Sequence, residues 1–341
     1  WCTHCETALA EAEIEYQDHR SPSIYVKFPA MSELQGILAK PYRFNIYFAI
    51  WTTTPWTLPA NVAICLKPDT QYAVVAVGGE NYIMAEYLVP VVMDDLGIKD
   101  WRVVETVNSN DLENIICHHP FVDRESPIIL GNHVTMEQGT GCVHTAPGHG
   151  QEDYEIGLKY KLPIISPLDH RGVFTIDAGD FAHLGYEKAN GEIVRRLQED
   201  GYLLKCTEVT HQYPHCWRCK QPVIFRATKQ WFISVENSDI RERALKSIKN
   251  VKWIPEWGER RITGMVESRP DWCISRQRYW GVPIPVFFCN QCGSELVTSE
   301  TLEAVRKLFA EEGSDSWYFE EADNIVPRGT KCPDCDNAHF R

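Results

Sequence analysis

Eight of the 13 cysteines stand in four C-x-x-C pairs: Cys2/Cys5, Cys216/Cys219, Cys289/Cys292 and Cys332/Cys335. Two thiolates three positions apart can reach one tetrahedral Zn²⁺, and two such pairs close a structural four-thiolate site. The spacing predicts one site from Cys289, Cys292, Cys332 and Cys335, whose 39-residue gap implies an inserted helix. Cys2/Cys5 and Cys216/Cys219 are 210 residues apart; if they meet, zinc staples the base of everything between them. Unmetallated thiols or a redox pair are the alternative. Cys65, Cys117, Cys142, Cys206 and Cys273 are scattered among apolar neighbours, as buried reduced thiols are. The mixture fits a reducing cytoplasm better than a secreted disulfide scaffold.

A second group is the run WTTTPWTLPAN, residues 51–61. Thr52, Thr53, Thr54 and Thr57 lie beside two prolines that cannot continue a central strand. The run therefore leaves its sheet and presents hydroxyls and backbone N–H groups at an edge, where they could bind a polar ligand or hold a water. An ordinary Thr-rich strand end is the plainer reading. The third group is GTGCVHTAPGHGQED, residues 139–153. His144 is expected to end a strand, His149 to lie in a Gly-rich turn and Asp153 to start a helix. Three chemistries compete. A His144/His149/Asp153 metal site lacks the helical geometry of H-E-x-x-H, because Pro147-Gly148 intervenes. A Cys142–His144 nucleophile pair shares one strand face, but nothing obvious activates the thiol. A carboxylate binding a ligand ammonium, with a histidine walling the pocket, needs no cofactor. The fourth group, residues 269–285, interleaves Arg269, Arg276 and Arg278 with Trp272 and Trp280, a pattern that suits a nucleotide or phosphate surface. A packed aromatic turn is the alternative.

The elements that must position these groups change in texture along the chain. Residues 23–28, 44–53, 63–66, 72–77, 101–107, 128–134 and 142–145 read as strands between Gly, Pro, Asn and Asp punctuation. Many short strands suggest a barrel-like β domain. Residues 151–160 and 186–200 read as helices, the second placing Ala189, Ile193 and Leu197 on one face and ending at Gly201. From about residue 207 a Cys/His/Trp/Arg-rich stretch begins, with a basic helix over 238–248 and an acidic one around 301–312. The chain carries 34 Lys+Arg against 47 Asp+Glu, a net charge of −13 that disfavours a general nucleic-acid coat. Residues 216–280 alone hold 14 against 7, so a local polyanion contact stays open beside a merely solvated helix face. Hydrophobic residues at 44% and charged residues at 24% fit a globular chain. No apolar run approaches the roughly 18 residues a membrane-spanning helix needs. The chain begins at Trp1 with no basic-then-apolar leader, and both ends are expected to be cuts in a longer protein.

Taken together, residues 1–16, 51–61, 139–154, 211–232 and 269–285 resemble the isoleucyl branch of the class I aminoacyl-tRNA synthetases, almost throughout the chain and in family order. Thr52-Thr-Thr-Pro-Trp-Thr57 sets it apart from leucyl and valyl relatives, which carry a Thr-Thr-Arg-Pro version. The resemblance implies a β-barrel-like α+β editing domain inserted into a Rossmann-type α/β catalytic domain. Residues 1–20 would be a zinc-knuckle stem and 21–207 the editing domain. Residues 208–288 would return to the catalytic half, and 289–341 would be a zinc-bearing insertion. It implies proofreading hydrolysis of valine esterified to tRNA(Ile), with Asp153 on the ammonium and His144 walling the side-chain pocket. The threonines would bind the terminal adenosine and position water, with Asn61 supporting the loop. Trp51 and His149 would join substrate binding, and Trp280 the synthetic pocket. The implied partners are the tRNA 3′ end and valine or isoleucine esters, bound by a cytoplasmic monomer with two structural zinc sites. ATP and Mg²⁺ belong to the full-length enzyme, whose His-Ile-Gly-His and Lys-Met-Ser-Lys-Ser signatures are absent here. A zinc-ribbon RNA-binding module and a valyl- or leucyl-type editing fragment are the competing readings.

Overall fold

The computed structural model describes residues 1–31, 34, 37–38, 46–278 and 281–341. They form two compact units, Trp1–Gln230 and Trp231–Arg341.

Strands are numbered along the chain. In the first unit they are β1 (Ile14–Pro29), β2 (Ile46–Thr52), β3 (Ala63–Leu66), β4 (Gln71–Val77) and β5 (Glu80–Ala85), then β6 (Arg102–Asn108), β7 (Ile116–His118), β8 (Glu125–Leu130), β9 (Cys142–Thr145) and β10 (Leu203–Cys216). One sheet runs β10-β1-β2-β5-β4-β6 and a second runs β7-β8-β3-β9. β1 alternates where it enters the sheet: Ile24, Val26 and Phe28 are fully buried. They meet Phe48 and Ile50 of β2, Ile64 and Leu66 of β3, and Val74 of β4 in one apolar core. Burial of each such side chain contributes about 1.5–3 kcal/mol. Tyr72 is also fully buried, and its hydroxyl donates to the Gly141 carbonyl at 2.5 Å, tying β4 to the segment that leads into β9.

The expected barrel is not formed. Closure requires the last strand of a sheet to bond the first, but β10 and β6 end the large sheet and β7 and β9 end the small one. The reason lies in β1. Among the described residues, its first ten pair only with β10, from Ile14↔Cys216 to Ser23↔Thr207, and β2 joins it from Ile24 onward. The chain is thereby drawn into a long two-stranded ribbon instead of curling on itself. β10 runs unbroken through residue 207, where the sequence texture changes. Of the strand expected over 44–53, residues 44 and 45 lie outside the described residues.

The α-helices of this unit among the described residues are α1 (Val89–Leu96), α2 (Ser109–Leu112), α3 (Gln151–Tyr160) and α4 (Tyr186–Glu199). α4 buries Ala189, Ile193 and Leu197. α1 ends where Gly97 turns left-handed at φ +75°, a conformation costly for any residue with a Cβ.

The second unit has β11 (Phe232–Ile233) paired with β12 (Trp272–Cys273), and β13 (Phe287–Phe288) paired with β14 (Glu295–Leu296). Its helices are α5 (Ile240–Ile248), α6 (Trp257–Glu267), α7 (Ser299–Glu312) and α8 (Ala322–Ile325). Thr298 caps α7 by accepting from Thr301 N at 3.2 Å. Among the described residues the strands of this unit pair only in twos, so it shows no parallel Rossmann-type sheet.

Candidate active site and metal centres

β2 ends at Thr52, and the next residues cannot extend it. Pro55 starts a 3₁₀ turn over Pro55–Ala60 and Pro59 sits inside it. Neither proline has an N–H to give to a ladder. The threonines fold back on the turn. Thr54 N donates to Thr52 Oγ1 at 3.1 Å, and Thr57 Oγ1 donates to the Thr54 carbonyl at 2.8 Å. His144, on β9, reaches the same place. Its Nε2 is 2.7 Å from Thr57 Oγ1, and its Nδ1 is 3.3 Å from Asn61 Nδ2.

The protons in this cluster are fixed by its ends. Asn61 Nδ2 lies 2.8 Å from the Ala63 carbonyl, an obligate acceptor, so the nitrogen of the amide must face that way. Asn61 Oδ1 then accepts from Ser126 Oγ at 2.6 Å. An amide N–H aimed at His144 Nδ1 makes that nitrogen the acceptor, so the ring proton is on Nε2 and is donated to Thr57. The donors run one way: Ser126 to Asn61, Asn61 to His144, His144 to Thr57, Thr57 to Thr54. Both ring nitrogens of His144 are thereby used, which leaves it no lone pair for a metal or for a water's proton.

Burial keeps the ring neutral. It depresses His144 to about 4, helped by repulsion from His149. His149 is likewise depressed to about 4 by burial, with the nearby Arg226 adding to the effect. Its Nδ1–H donates to the Phe225 carbonyl at 2.9 Å, and its buried Nε2 has no hydrogen-bond partner. His119, buried behind the turn, is depressed to about 3. These three folded values lie below the ordinary 6.5, so the histidines contribute stability that is complete above that pH and is lost as pH falls toward 4. Urea unfolding of the first unit at pH 7 and pH 5 is expected to differ by on the order of 1–2 kcal/mol per histidine, the more acidic sample being weaker.

Asp153 stands in the first turn of α3 but does not cap it. The N-cap is Gly150, which has no side chain to cap with, and Asp153 Oδ2 instead accepts from Ala146 N at 2.9 Å. The carboxylate closes the 146–153 turn and is half-buried, not freely accessible. Desolvation raises its pKa above the usual carboxylate range, partly offset by the Ala146 N–H. The structure brings Thr57, Asn61 and His144 into one hydrogen-bonded cluster; Asp153 is joined to that cluster only through the backbone of its own turn, among the described hydrogen bonds.

A cavity of about 380 Å³ opens beside the turn. It is lined by Thr53 and Thr54, by the ribbon residues His19, Ser21 and Tyr213, and by Trp56 and Tyr186. The Trp56 ring lies edge-on to His149 and Tyr186 at 5.1 and 5.4 Å, and its backbone N–H donates to Asn190 Oδ1 at 3.0 Å. The volume falls within the range of small-molecule sites. Trp51, expected in substrate binding, is turned to β1: its indole N–H donates to Ser23 Oγ at 2.8 Å, and its ring packs under Gly139. Trp280 lies outside the described residues. Trp56, Tyr186, Asn190 and the ribbon residues were not anticipated. The repeated aromatic-histidine pattern over 211–215 was their one available signal.

The cysteines assemble as their spacing predicts. Cys2, Cys5, Cys216 and Cys219 bring their sulfurs within 4.8 Å of one another, as do Cys289, Cys292, Cys332 and Cys335. Zn–S bonds of about 2.3 Å give a tetrahedron with edges of about 3.8 Å. The cross-pair contacts Cys2–Cys219, Cys289–Cys335 and Cys292–Cys332 are each 3.5 Å, far beyond a covalent S–S bond. Backbone N–H groups point at the sulfurs, Cys5 N to Cys2 and Gln291 N to Cys289, as suits thiolate charge. Both sets fit a divalent metal that prefers four thiolates.

Residues 1–337 match the family described as "tRNA synthetases class I (I, L, M and V)". The chain belongs to the class I tRNA synthetases. Its similarity to individual members of that family is high. It is 55% identical over 341 residues to "Isoleucine--tRNA ligase" of Moorella thermoacetica, covering 100% of this chain and 36% of that protein. It is 54% identical over 340 residues to the protein of the same name from Syntrophotalea carbinolica, covering 100% and 37%. The chain thus spans little more than a third of these synthetases. A solved structure, "The crystal structure of GlLeuRS-CP1", matches with a TM-score of 0.43 and 14% identity, over 54% of this chain and 98% of that one.

Proposed function

We propose that the chain is the proofreading portion of an isoleucine–tRNA ligase, and that its first unit hydrolyses the ester joining valine to the 3′-terminal ribose of tRNA(Ile). The observation that carries this reading is the one-way hydrogen-bond chain ending on the Thr-rich turn. It holds a neutral histidine with no free lone pair against Thr57, and Thr53 and Thr54 of the same turn line a cavity that His144 itself does not reach. Such a site binds and orients; it does not supply a nucleophile. Cys142, the neighbouring thiol, is fully buried with its pKa pushed far up, so it is not a competing nucleophile.

The chemical need for such a site follows from pocket energetics. Valine is one methylene smaller than isoleucine, and an apolar synthetic pocket rejects it by only about 1–3 kcal/mol, a limit long known for this very pair of amino acids. A second pocket that excludes the larger side chain restores accuracy. In this chain His144 walls that pocket and Asp153 holds the α-ammonium. Thr52, Thr53, Thr54 and Thr57 hold the terminal adenosine and the attacking water, with Trp56 and His149 beneath. Catalysis rests on orientation of water and stabilisation of the tetrahedral oxyanion. The parent enzyme attaches isoleucine to tRNA with ATP and Mg²⁺. In that enzyme residues 21–207 are the editing insertion, residues 208–288 return to a Rossmann-type catalytic half, and residues 289–341 are a further insertion. The two four-thiolate sets hold structural Zn²⁺, and the enzyme acts as a cytoplasmic monomer.

The test is deacylation of valyl- and isoleucyl-tRNA(Ile) side by side by the 341-residue chain. Hydrolysis of the valyl ester alone is expected; hydrolysis of neither overturns the reading. Asp153→Asn gives a sharper result. The amide keeps an acceptor for Ala146 N but cannot pair with an ammonium. Because the folded carboxyl titrates above its unfolded value, its charge costs stability at neutral pH. The variant is therefore expected to be as stable as the parent or slightly more so, and to lose deacylation. Full activity would mean that Asp153 serves the turn alone. For the same reason deacylation by the parent should fail on acidification at a higher pH than an ordinary aspartate would set.

A further inference from the structure

We propose that Arg124 and Ser126, on the hairpin that joins β7 to β8, are positioning residues of the site, Arg124 holding the Thr-rich turn by its backbone and Ser126 fixing the proton on His144. The proposal rests on the deacylation reading above and deepens it.

The turn needs outside support. Proline at 55 and 59 removes two backbone donors from a segment that is wholly buried, so its carbonyls must find partners elsewhere. The hairpin supplies them. Arg124 Nη1 donates to the Pro59 carbonyl at 2.9 Å and to the Asn61 carbonyl at 2.8 Å. His119 Nε2–H donates to the Leu58 carbonyl at 2.9 Å, while its Nδ1 accepts from Phe121 N and Val122 N. Three carbonyls within four residues are thus gripped from one side. None of these hairpin side chains lines the cavity beside Thr53 and Thr54, so they act through the turn and not on a ligand. Ser126 is the first donor of the chain that reaches Thr57. It is fully buried, and its hydroxyl satisfies Asn61 Oδ1. Without it that oxygen is buried unpaired; turning the amide over would let it accept from His144 Nδ1–H but would set it against the Ala63 carbonyl, so the two orientations compete. In the turned-over one the ring carries its proton on the wrong nitrogen for Thr57.

Four variants test this: Arg124→Met, which keeps the length and loses the donors; Arg124→Lys, which restores one cation; Ser126→Ala; and Ser126→Thr, which restores the hydroxyl. Deacylation of valyl-tRNA(Ile) by the full chain is resolved into kcat and KM, and ¹⁵N-histidine spectra report the His144 tautomer, assigned by its loss in His144→Gln. Arg124→Met and Ser126→Ala are expected to lower kcat roughly 10- to 100-fold with KM within about twofold, as misplacement of a reacting group does. The conservative partners should recover part of the loss. His144 should show a single Nε2–H tautomer in the parent and a mixture in Ser126→Ala. A kcat within about twofold of the parent in both donor-less variants overturns the proposal, even if they melt earlier, and so does a rise in KM alone. Should the parent itself fail to deacylate, the functional reading falls separately. The spectra then decide: a mixture in Ser126→Ala supports Ser126's role, and an unchanged single tautomer overturns it.

Discussion

Protein purified without chelator is expected to carry about two Zn²⁺ per chain, and loss of the second site should unfold its surroundings. The residues around Cys289, Cys292, Cys332 and Cys335 bury very little else. Their apolar cluster consists of Phe287, Leu296, Val305, Val326 and Phe340, with Cys289 and Cys332 themselves. A core of that size does not offset the ordering entropy of some fifty residues. Structural zinc in small modules supplies folding free energy on the order of 10 kcal/mol. Cys332→Ser with Cys335→Ser should therefore release one equivalent of metal and abolish protection of amide hydrogens over 287–341. The first unit, whose core is separate, should retain its own cooperative transition and its second equivalent. Elemental analysis and hydrogen exchange read both. A metal-free preparation with the same protection pattern would show that buried thiols alone suffice.

The second large effect concerns selectivity. The parent chain should hydrolyse valyl-tRNA(Ile) and spare the isoleucyl ester; His144→Ala, slowed on the valyl ester as Ser126→Ala is because Thr57 loses the same partner, should gain hydrolysis of the isoleucyl ester. Fitting one extra methylene into a close-packed pocket costs about 1–3 kcal/mol, or roughly 5- to 150-fold in rate. Removing the imidazole opens that space. The change should be survivable, because each neighbour keeps a partner. Thr57 still donates to the Thr54 carbonyl, and Asn61 still donates to the Ala63 carbonyl. A variant that folds but hydrolyses neither ester would instead place His144 in the chemical step. That result would contradict the saturated ring seen here.

What the sequence conveyed of this site depended on backbone punctuation. β3, β9 and α3 occupy the residues expected for them, because Pro and Gly mark their ends and each is short. The same punctuation exposed the Thr-rich turn and the 146–150 turn as breaks carrying polar groups. Contacts between distant segments left no such trace. Arg124 and Ser126 lie 63 and 65 positions from the Asn61 atoms they hold, and no periodicity connects them. α1 leaves little trace in the sequence, since Val89-Pro-Val-Val has β-branched preference; packing of Val89, Val92 and Met93 against the core overrides it. β10 is not evident in the sequence because the Cys/His/Trp/Arg-rich texture that begins near residue 207 masks the Lys, Glu, Thr and His residues along it. Those are the residues of a ribbon with one face in solvent. The barrel failed for the same reason: strand number is legible in a sequence, but the order in which strands join is not.

The ribbon has a mechanical side. Ten residues of β1, bonded among the described residues only to β10, make a strip about 33 Å long at roughly 3.3 Å per residue. A sheet of six strands resists bending, whereas a two-stranded strip twists and flexes readily. His19, Ser21 and Tyr213 ride on that strip and line the cavity together with Thr53 and Thr54. One jaw of the vise is therefore braced by the hairpin of Arg124 and Ser126, and the other is a spring clamped at its far end by four sulfurs. A bend of about 10° spread along the strip displaces one end from the line of the other by roughly 3 Å, and shifts the residues between them by less. Stiffness in the strip, set by cross-strand pairs far from any reacting atom, is thus a dimension along which the opening can be tuned.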